Sequence, residues 1–433
     1  MKPLLINTYT KGGAAKACIR LHEALLKEDE TSHLLVADAP KGFAEVSTYH
    51  QKECTPPIPP PPSLRSWVYE KRTSTFAKQH KRFKAWQKIQ QKQHIFLSKR
   101  PVGLEYFSFP TSNFDVTKSA VYQDATVVNL HWVANLIDYA SFFGKNKKPI
   151  VWTLHDMSAF SGGEHYTEWY YGINAEGKPM QRQFSPEEIN MHKEIIALKK
   201  QIFANVENLH IVTPSQWLKQ EATNCGIWNA ASYQTIPYGI NTELFKPHPK
   251  QEAKKLLGFP TDVPLILFVA QSVDNQRKGF IYLQRAIEQM SSRNVALCAV
   301  GALQVPLNHP NVIEMGTLND ELLLSLVYSA ADVFVIPSLM DNLPNTVLES
   351  LCCGTPVIGF SVGGIPDMVQ HKINGLICEE VSIEALRASL EYFLQNPSQF
   401  DNALIASEAR EKYALSVQAK AYKKLFQSIQ STD

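Results

Sequence analysis

Short apolar runs alternate along the chain with segments whose apolar residues recur at helical spacing. The opening PLLINTY reads as a buried strand that runs into Lys11-Gly12-Gly13. The AAKACIRLHEALLK segment that follows places Ala17, Leu21, Ala24 and Leu25 on one helical face. His33 to Val36 (HLLV) reads as the next strand. Strand, glycine turn, helix and strand in this order predict a parallel sheet with right-handed crossovers, the start of a Rossmann-like half.

The rhythm breaks between about residues 50 and 120, where a proline cluster (Pro56 to Pro62) leads into a basic and aromatic segment. It resumes with ATVVNLHW (Ala125 to Trp132), PIVWTLHD (Pro149 to Asp156) and NLHIVTPS (Asn208 to Ser215). Each of these strands ends in polar residues, where open α/β sheets place their ligand sites. The Pro, Gly and Asn of TIPYGINTELFKP (Thr235 to Pro247) mark a linker. A second series follows: VPLILFVA (Val263 to Ala270), NVALCAVG (Asn294 to Gly301), ADVFVIPS (Ala331 to Ser338) and TPVIGF (Thr355 to Phe360). Such runs are the signature of strands buried on both faces. The expected fold class is α/β, with two doubly wound parallel-sheet domains facing each other.

Composition narrows this picture. With 44% hydrophobic and 19% charged residues, the 433-residue chain is globular rather than fibrous or disordered. A net charge of +2 argues against a protein built to coat nucleic acid, so nucleic acid is not an expected partner. The near-neutrality is an average, because Arg65 to Arg100 holds eleven Lys and Arg residues against the single acid Glu70. Interleaved aromatics there suit either a solvated insertion packed on the first domain or docking on an anionic membrane surface. Seven cysteines without a CxxC pair suggest neither a zinc site nor a disulfide framework. The apolar run at the start is too short for a signal peptide and no apolar stretch reaches membrane-spanning length. A cytoplasmic location is expected, at the inner face of the membrane if the basic segment docks there.

The densest motif is PSLMDNLPNTVLESLCCGTPVIGFSVGGIPDMV, Pro337 to Val369. Asp341 follows a strand, and Glu349 stands eight residues on, just over two helical turns. Alone, the pair reads as a loop acid and a solvated helix acid. Arg277-Lys278 follows another strand after a polar loop; two adjacent cations would neutralise charge developing on a leaving group. Gly12-Gly13 permits close backbone approach at a helix N-terminus, although the spacing is not GxGxxG. His155 in TLHD and His131-Trp132 in NLHW stand at strand ends.

Taken in order, GGAAKACIRLH, TLHD, VTPSQWL, IPYGINTELF, RKGF, the acid pair, GTPVIGF and GGIPDMV resemble the retaining glycosyltransferases of family 4, glycosyl transferases group 1, and especially a bacterial polysaccharide-biosynthesis branch. The resemblance implies the GT-B fold. It implies an acceptor-binding domain over residues 1–237 that carries the insertion at about 50–120, a nucleotide-sugar-binding domain over 247–412, and a last helix, within 413–433, that returns to the first domain. It implies that Glu349 accepts hydrogen bonds from the ribose, that Asp341 sits beside the transferred sugar, and that the N–H groups of Asn345 and Thr346 hold the diphosphate together with Arg277 and Lys278. Gly12, Gly13, Gly363 and Gly364 would line the donor, His155 would face the reaction centre, and His131 and Trp132 would line the acceptor cleft. The chain departs from the commonest pattern, which has Glu at the first acid and glycines where Asn342 and Pro344 stand.

No DxD triplet occurs, so no metal and no cofactor are expected and Lys278, Arg277 and helix N-termini must meet the diphosphate charge. The resemblance implies sugar transfer from a nucleoside diphosphate sugar to a glycan or lipid-linked glycan with retention, through an oxocarbenium-like state. A nucleotide-sugar 2-epimerase or a phosphorylase on the same fold, and a non-catalytic sugar-binding subunit, are the alternatives.

Overall fold

The computed structural model describes residues 1–28, 31–37, 46–48, 74–101, 103–166, 170–228, 230–291, 294–304 and 312–430. The proline cluster and the basic residues at 65–73 lie outside the described residues. The N-terminal domain opens with β1 (Pro3–Ile6), α1 (Gly13–Lys27), β2 (His33–Val36) and β3 (Val46–Thr48). Then come α2 (Ser74–Lys99), α3 (Ala120–Asp124), β4 (Val127–Leu130), α4 (Tyr139–Lys145) and β5 (Ile150–Thr153). It closes with an antiparallel hairpin of β6 (Tyr170–Ile173) and β7 (Pro179–Gln181), followed by α5 (Pro186–Phe203), β8 (Leu209–Thr213), α6 (Gln216–Asn224) and β9 (Ser232–Thr235). The C-terminal domain runs α7 (Lys250–Leu257), β10 (Leu265–Ser272), α8 (Phe280–Glu288), β11 (Ala296–Ala302), β12 (Val312–Gly316), α9 (Glu321–Ala330) and β13 (Val333–Ile336). It continues through α10 (Asn345–Cys352), β14 (Val357–Phe360), β15 (Gly375–Cys378), α11 (Ile383–Gln395) and α12 (Asn402–Tyr413), and the described chain ends with α13 (Leu415–Gln430).

Each domain is built on one parallel sheet. The first has seven strands in the order β3-β2-β1-β4-β5-β8-β9, the second six in the order β12-β11-β10-β13-β14-β15. VVNL, IVWT, VFVI and VIGF are buried at every position because helices cover both sheet faces. Strand order reverses between β1 and β4 in the first domain and between β10 and β13 in the second. Crevices for ligands form outside the carboxyl ends of the strands at such points.

The chain passes between the domains twice. Residues 236–249 carry it forward, and the α12–α13 junction carries it back, and the two crossings lie side by side. Ile240 N–H donates to Tyr413 O at 2.7 Å and Leu415 N–H donates to Ile240 O at 3.2 Å. Helix α13 then packs on α1, where its Ala419, Tyr422, Leu425, Phe426 and Ile429 share a core with Leu5, Cys18, Leu21, Ala24 and Leu25. The last helix thus completes the first domain's core. The six described cysteines are free thiols.

Helix α2 is a long element with a thin attachment. Of its side chains from position 84 onward only Phe96 is buried, against Phe107, Met191 and Ile195. Ile89, Ile95 and Leu97 are exposed. No helix among the described residues is long and apolar enough to cross a membrane.

Candidate functional site

The residues singled out in the sequence gather at the two switch points. Gly12-Gly13 follows β1 and His131-Trp132 follows β4; Arg277-Lys278 follows β10 and Asp341 follows β13. The two sets face each other across the cleft, bridged by contacts such as Arg277 to Glu105 and Asn345 Nδ2 to Gly13 O.

On the C-terminal side, Asp341 is 5% exposed and its Oδ2 accepts from Lys278 Nζ at 2.5 Å, with Arg277 Nη1 at 3.5 Å. Burial pushes this carboxyl up, but the two cations outweigh burial and hold it below the usual range. Arg277 reaches over the cleft: its Nε donates to Glu105 of the N-terminal domain at 2.6 Å, its Nη1 donates to Met340 O, and its Cζ lies 4.5 Å from the ring centroid of Tyr166. Glu105 also accepts from Asn275 Nδ2 at 2.9 Å. Lys278 keeps 22% of its side chain exposed, against 9% for Arg277, so it is the cation more open to the cleft. Gly279 lets the chain turn here, because at φ 69° a side chain would collide with Pro337 O.

Helix α10 starts at Asn345 behind Pro344, which supplies no side-chain cap. The N–H groups of Asn345 and Thr346 belong to a first turn that has no acceptor within its own helix, and they are joined by the positive end of the helix dipole. Asn345 Nδ2 donates to Gly13 O at 3.1 Å, which sets the glycine turn of the first domain against this helix start. Gly12 faces the Gln271 side chain in the same way. Gly363 and Gly364 underlie the acid-bearing loop: a Cβ on the first would collide with Asp341 O and on the second with Asn342 O, while Gly364 N–H donates to Asp341 O at 3.1 Å.

The side chain of Asn342 enters the N-terminal domain, where Nδ2 donates to His155 O at 3.0 Å and Oδ1 accepts from Ser215 Oγ. His155 is buried, with Nδ1 2.7 Å from Tyr238 Oη and Nε2 2.9 Å from His131 Nδ1. The tautomers follow from Asn129. Its Nδ2 donates to Val151 O, so its Oδ1 must accept from His131 Nε2; His131 Nδ1 then accepts from His155 Nε2, and Tyr238 Oη donates to His155 Nδ1. Both imidazoles are neutral. Burial lowers His155 to about 4 despite the nearby Asp156, and lowers His131 further below the usual value with His155 beside it. The His131 ring therefore lies within the fold and only Trp132 of that pair reaches the cleft. Trp132 Nε1 donates to Asp156 Oδ2 at 2.9 Å, and Tyr9 and Tyr106 lie with ring centroids 5.3 Å and 5.7 Å from it. Asp156 also pairs with His165, so this buried couple fixes the indole from beneath.

Glu349, 2% exposed on α10, pairs through Oε1 with Arg20 of α1 at 2.9 Å, and its Oε2 accepts from Tyr328 Oη at 3.2 Å. Sequence reasoning missed Arg20, Glu105 and Tyr238, whose partners lie 329, 172 and 83 positions away along the chain. Asp156 stood in view within TLHD, next to the histidine chosen instead.

The family model described as glycosyl transferases group 1 matches residues 263–396, which carry Arg277, Lys278, Asp341, Glu349 and the Gly363-Gly364 pair. This region is similar to the group 1 glycosyltransferases. The curated relatives are glycosyltransferases too. An uncharacterized glycosyltransferase of Methanocaldococcus jannaschii is 32% identical over 188 residues, 39% of this chain and 47% of the relative. A D-inositol 3-phosphate glycosyltransferase of Thermobispora bispora is 30% identical over 179 residues, 37% of this chain and 42% of the relative. Each match thus spans less than half of either protein. Over the whole length, sucrose-phosphate synthase from Thermosynechococcus elongatus superposes with a TM-score of 0.67 at 18% identity, covering 100% of both chains. Anabaena HepE, solved with UDP-glucose, superposes with a TM-score of 0.64 at 13% identity, covering 99% of this chain and 100% of its own. At these identities the likeness is one of fold: the region matched by the group 1 model lies in the C-terminal half of a GT-B pair.

Proposed function

We propose that the chain is a retaining glycosyltransferase that moves a sugar from a nucleoside diphosphate sugar to a hydroxyl of a glycan or lipid-linked glycan without a metal ion. The observation that carries the reading is the meeting, within a region similar to the group 1 glycosyltransferases, of Lys278, Arg277 and the uncapped start of α10 beside the buried carboxylate of Asp341. A diphosphate leaving group gains negative charge as its bond to the sugar breaks, and preorganised cations and N–H groups stabilise that charge most when water is excluded. Lys278 and Arg277 take this role, with the N–H groups of Asn345 and Thr346 on the phosphate oxygens. Glu349 accepts from the ribose hydroxyls. Asp341, held ionised by its two cations, faces the sugar, and the carbonyl of His155, fixed by Asn342, lies where positive character develops on the ring.

Across the cleft, Gly12 and Gly13 admit the donor close to the backbone, and Trp132 offers an aromatic face to the acceptor. A lipid-linked acceptor would arrive at the N-terminal domain, whose helix α2 presents Lys84, Lys88, Lys92 and Lys99 to solvent. HepE's complex with UDP-glucose makes that sugar nucleotide the first donor to try, alongside GDP- and ADP-sugars. In a transfer assay with the donor so found, Lys278→Ala should lower turnover by about 100-fold or more with a much smaller change in donor affinity. EDTA should leave the rate unchanged, and NMR of the product should show the donor's anomeric configuration. Wild-type turnover in Lys278→Ala, inversion, or loss of activity in EDTA would each overturn the corresponding part of the reading.

A further inference from the structure

Helix α1 carries a cation into the interface between the domains. Arg20 is 5% exposed, and a single nitrogen, Nη2, donates to both Glu321 at 2.7 Å and Glu349 at 2.9 Å. Its Cζ lies 5.4 Å from the ring centroid of Phe245 on the linker. Nε and Nη1 are buried and make no hydrogen bond. Arginine frequently sets its planar fork on one carboxylate with two parallel bonds. Here one nitrogen bridges two acids while two nitrogens make no hydrogen bond, and a buried N–H without an acceptor is destabilising. The guanidinium thus keeps two nitrogens that an acceptor from outside the protein could use.

The place of Arg20 says what that is. It sits on the carboxylate that, in the proposed function, accepts from the ribose. Glu349 can only accept, so it reads hydroxyls; Arg20 can only donate, so its free N–H groups read acceptor oxygens. The helix that bears it begins at Gly13, whose carbonyl is bonded to Asn345 at the start of α10. The same helix therefore meets α10 at its start, assigned to the diphosphate, and one turn further on, at the residue assigned to the ribose.

We propose that Arg20 is a positioning residue of the donor site, supplied by the N-terminal domain, which orients the Glu349 carboxylate for the ribose and presents Nε and Nη1 to acceptor oxygens of the nucleoside. The inference rests on the ribose reading of Glu349. It makes nucleoside binding, and not only catalysis, depend on both domains.

Calorimetric titration of the full chain with UDP, UMP and inorganic pyrophosphate tests it, using Arg20→Met, Arg20→Lys and Glu349→Gln. Arg20→Met should weaken UDP and UMP by about 10- to 100-fold, the range for a hydrogen bond to a charged group, and leave pyrophosphate within about twofold. In turnover the donor KM should rise with kcat little changed. Arg20→Lys keeps a cation for the two acids but not the fork, so it should recover the wild-type unfolding midpoint without recovering UDP affinity. Wild-type or tighter UDP binding by Arg20→Met, equal losses for UDP and pyrophosphate, or wild-type UDP affinity in Arg20→Lys would each overturn the proposal; Arg20→Lys decides the matter should Arg20→Met not fold. Unchanged UDP affinity in Glu349→Gln removes the ribose reading itself, whereas a loss there beside an unaffected Arg20→Met removes Arg20 alone.

Discussion

His155 shows how burial tunes a residue at the cleft. Its ring is kept neutral by a string of donors and acceptors anchored on Asn129, while its carbonyl is the atom held by the opposite domain. The folded value of about 4 lies below the ordinary histidine value of about 6.5, so between these limits the unfolded chain binds a proton that the folded chain does not. Stability therefore rises with pH. The contribution is complete above about 6.5 and is lost as pH falls to about 4, a difference of roughly 3 kcal/mol. His131, His192, His210 and His248 are also lowered by burial and steepen the wild-type curve, so the informative quantity is a difference. Denaturant unfolding at a series of pH values should give His155→Gln a shallower acid slope than wild type, by about one proton; parallel slopes would show that this ring carries no such linkage. Residues such as Asp341 and His155 were legible because each stands at the end of an apolar strand inside a dense motif. Arg20, Glu105 and Tyr238 were not, because a lone Arg, Glu or Tyr acquires its role only when a distant segment folds against it.

Among the elements, α2 has the least packing to account for its length. Lys84, Lys88 and Lys92 recur every four residues and Lys99 follows seven later, so all four lie on one side of the helix. Lys92 has a partner in Glu194 at 2.6 Å, but both side chains are more than half exposed and the pair adds little. Each Lys near an anionic surface contributes about 1 kcal/mol. Replacing all four with Gln should then reduce partition onto phosphatidylcholine vesicles containing one-third phosphatidylglycerol by about 100-fold or more at low salt. Undiminished partition would assign α2 to solvent. Element by element, the sequence pattern revealed the strands in the middle of each sheet, whose two covered faces demand unbroken apolar runs. In the two parallel sheets the strands it missed, β3, β9, β12 and β15, are the four edges, and it missed the β6–β7 hairpin as well. β9 shows why: SYQT alternates exposed and half-buried positions and carries no run to notice. Helix α2 lies within a segment already marked as basic and aromatic, and just one of its side chains from position 84 onward is buried.

At the scale of the molecule, the paired crossings near Ile240 and Leu415 lie side by side, and polar contacts cross the cleft beside the apolar packing of Ala17 and Ile173 on the C-terminal core. Glu105 holds Arg277, Arg20 holds Glu349 and Glu321, and Asp367 accepts from the N–H groups of Gln216 and Trp217 at the start of α6. Polar contacts of this kind exchange readily with water, which would suit the proposed transfer, in which the domains part to admit one substrate and release another. Asn342 is the contact placed to couple closure to chemistry, because it is next to Asp341 in sequence and grips the His155 carbonyl and Ser215 Oγ on the opposite wall. Asn342→Ala removes two hydrogen bonds of about 0.5–1.5 kcal/mol each and touches no residue assigned to the donor's phosphates or ribose. Closure is then less favourable by about 2 kcal/mol, and a reaction that proceeds only in the closed form slows in proportion to the closed population, by about tenfold or more. Nucleoside diphosphate affinity should change less than turnover, and small-angle scattering should give a larger radius of gyration than wild type. If turnover and radius both keep their wild-type values, closure is held by the ion pairs and the Asp367 cap, and Asn342 only fills the space between Asp341 and the opposite wall.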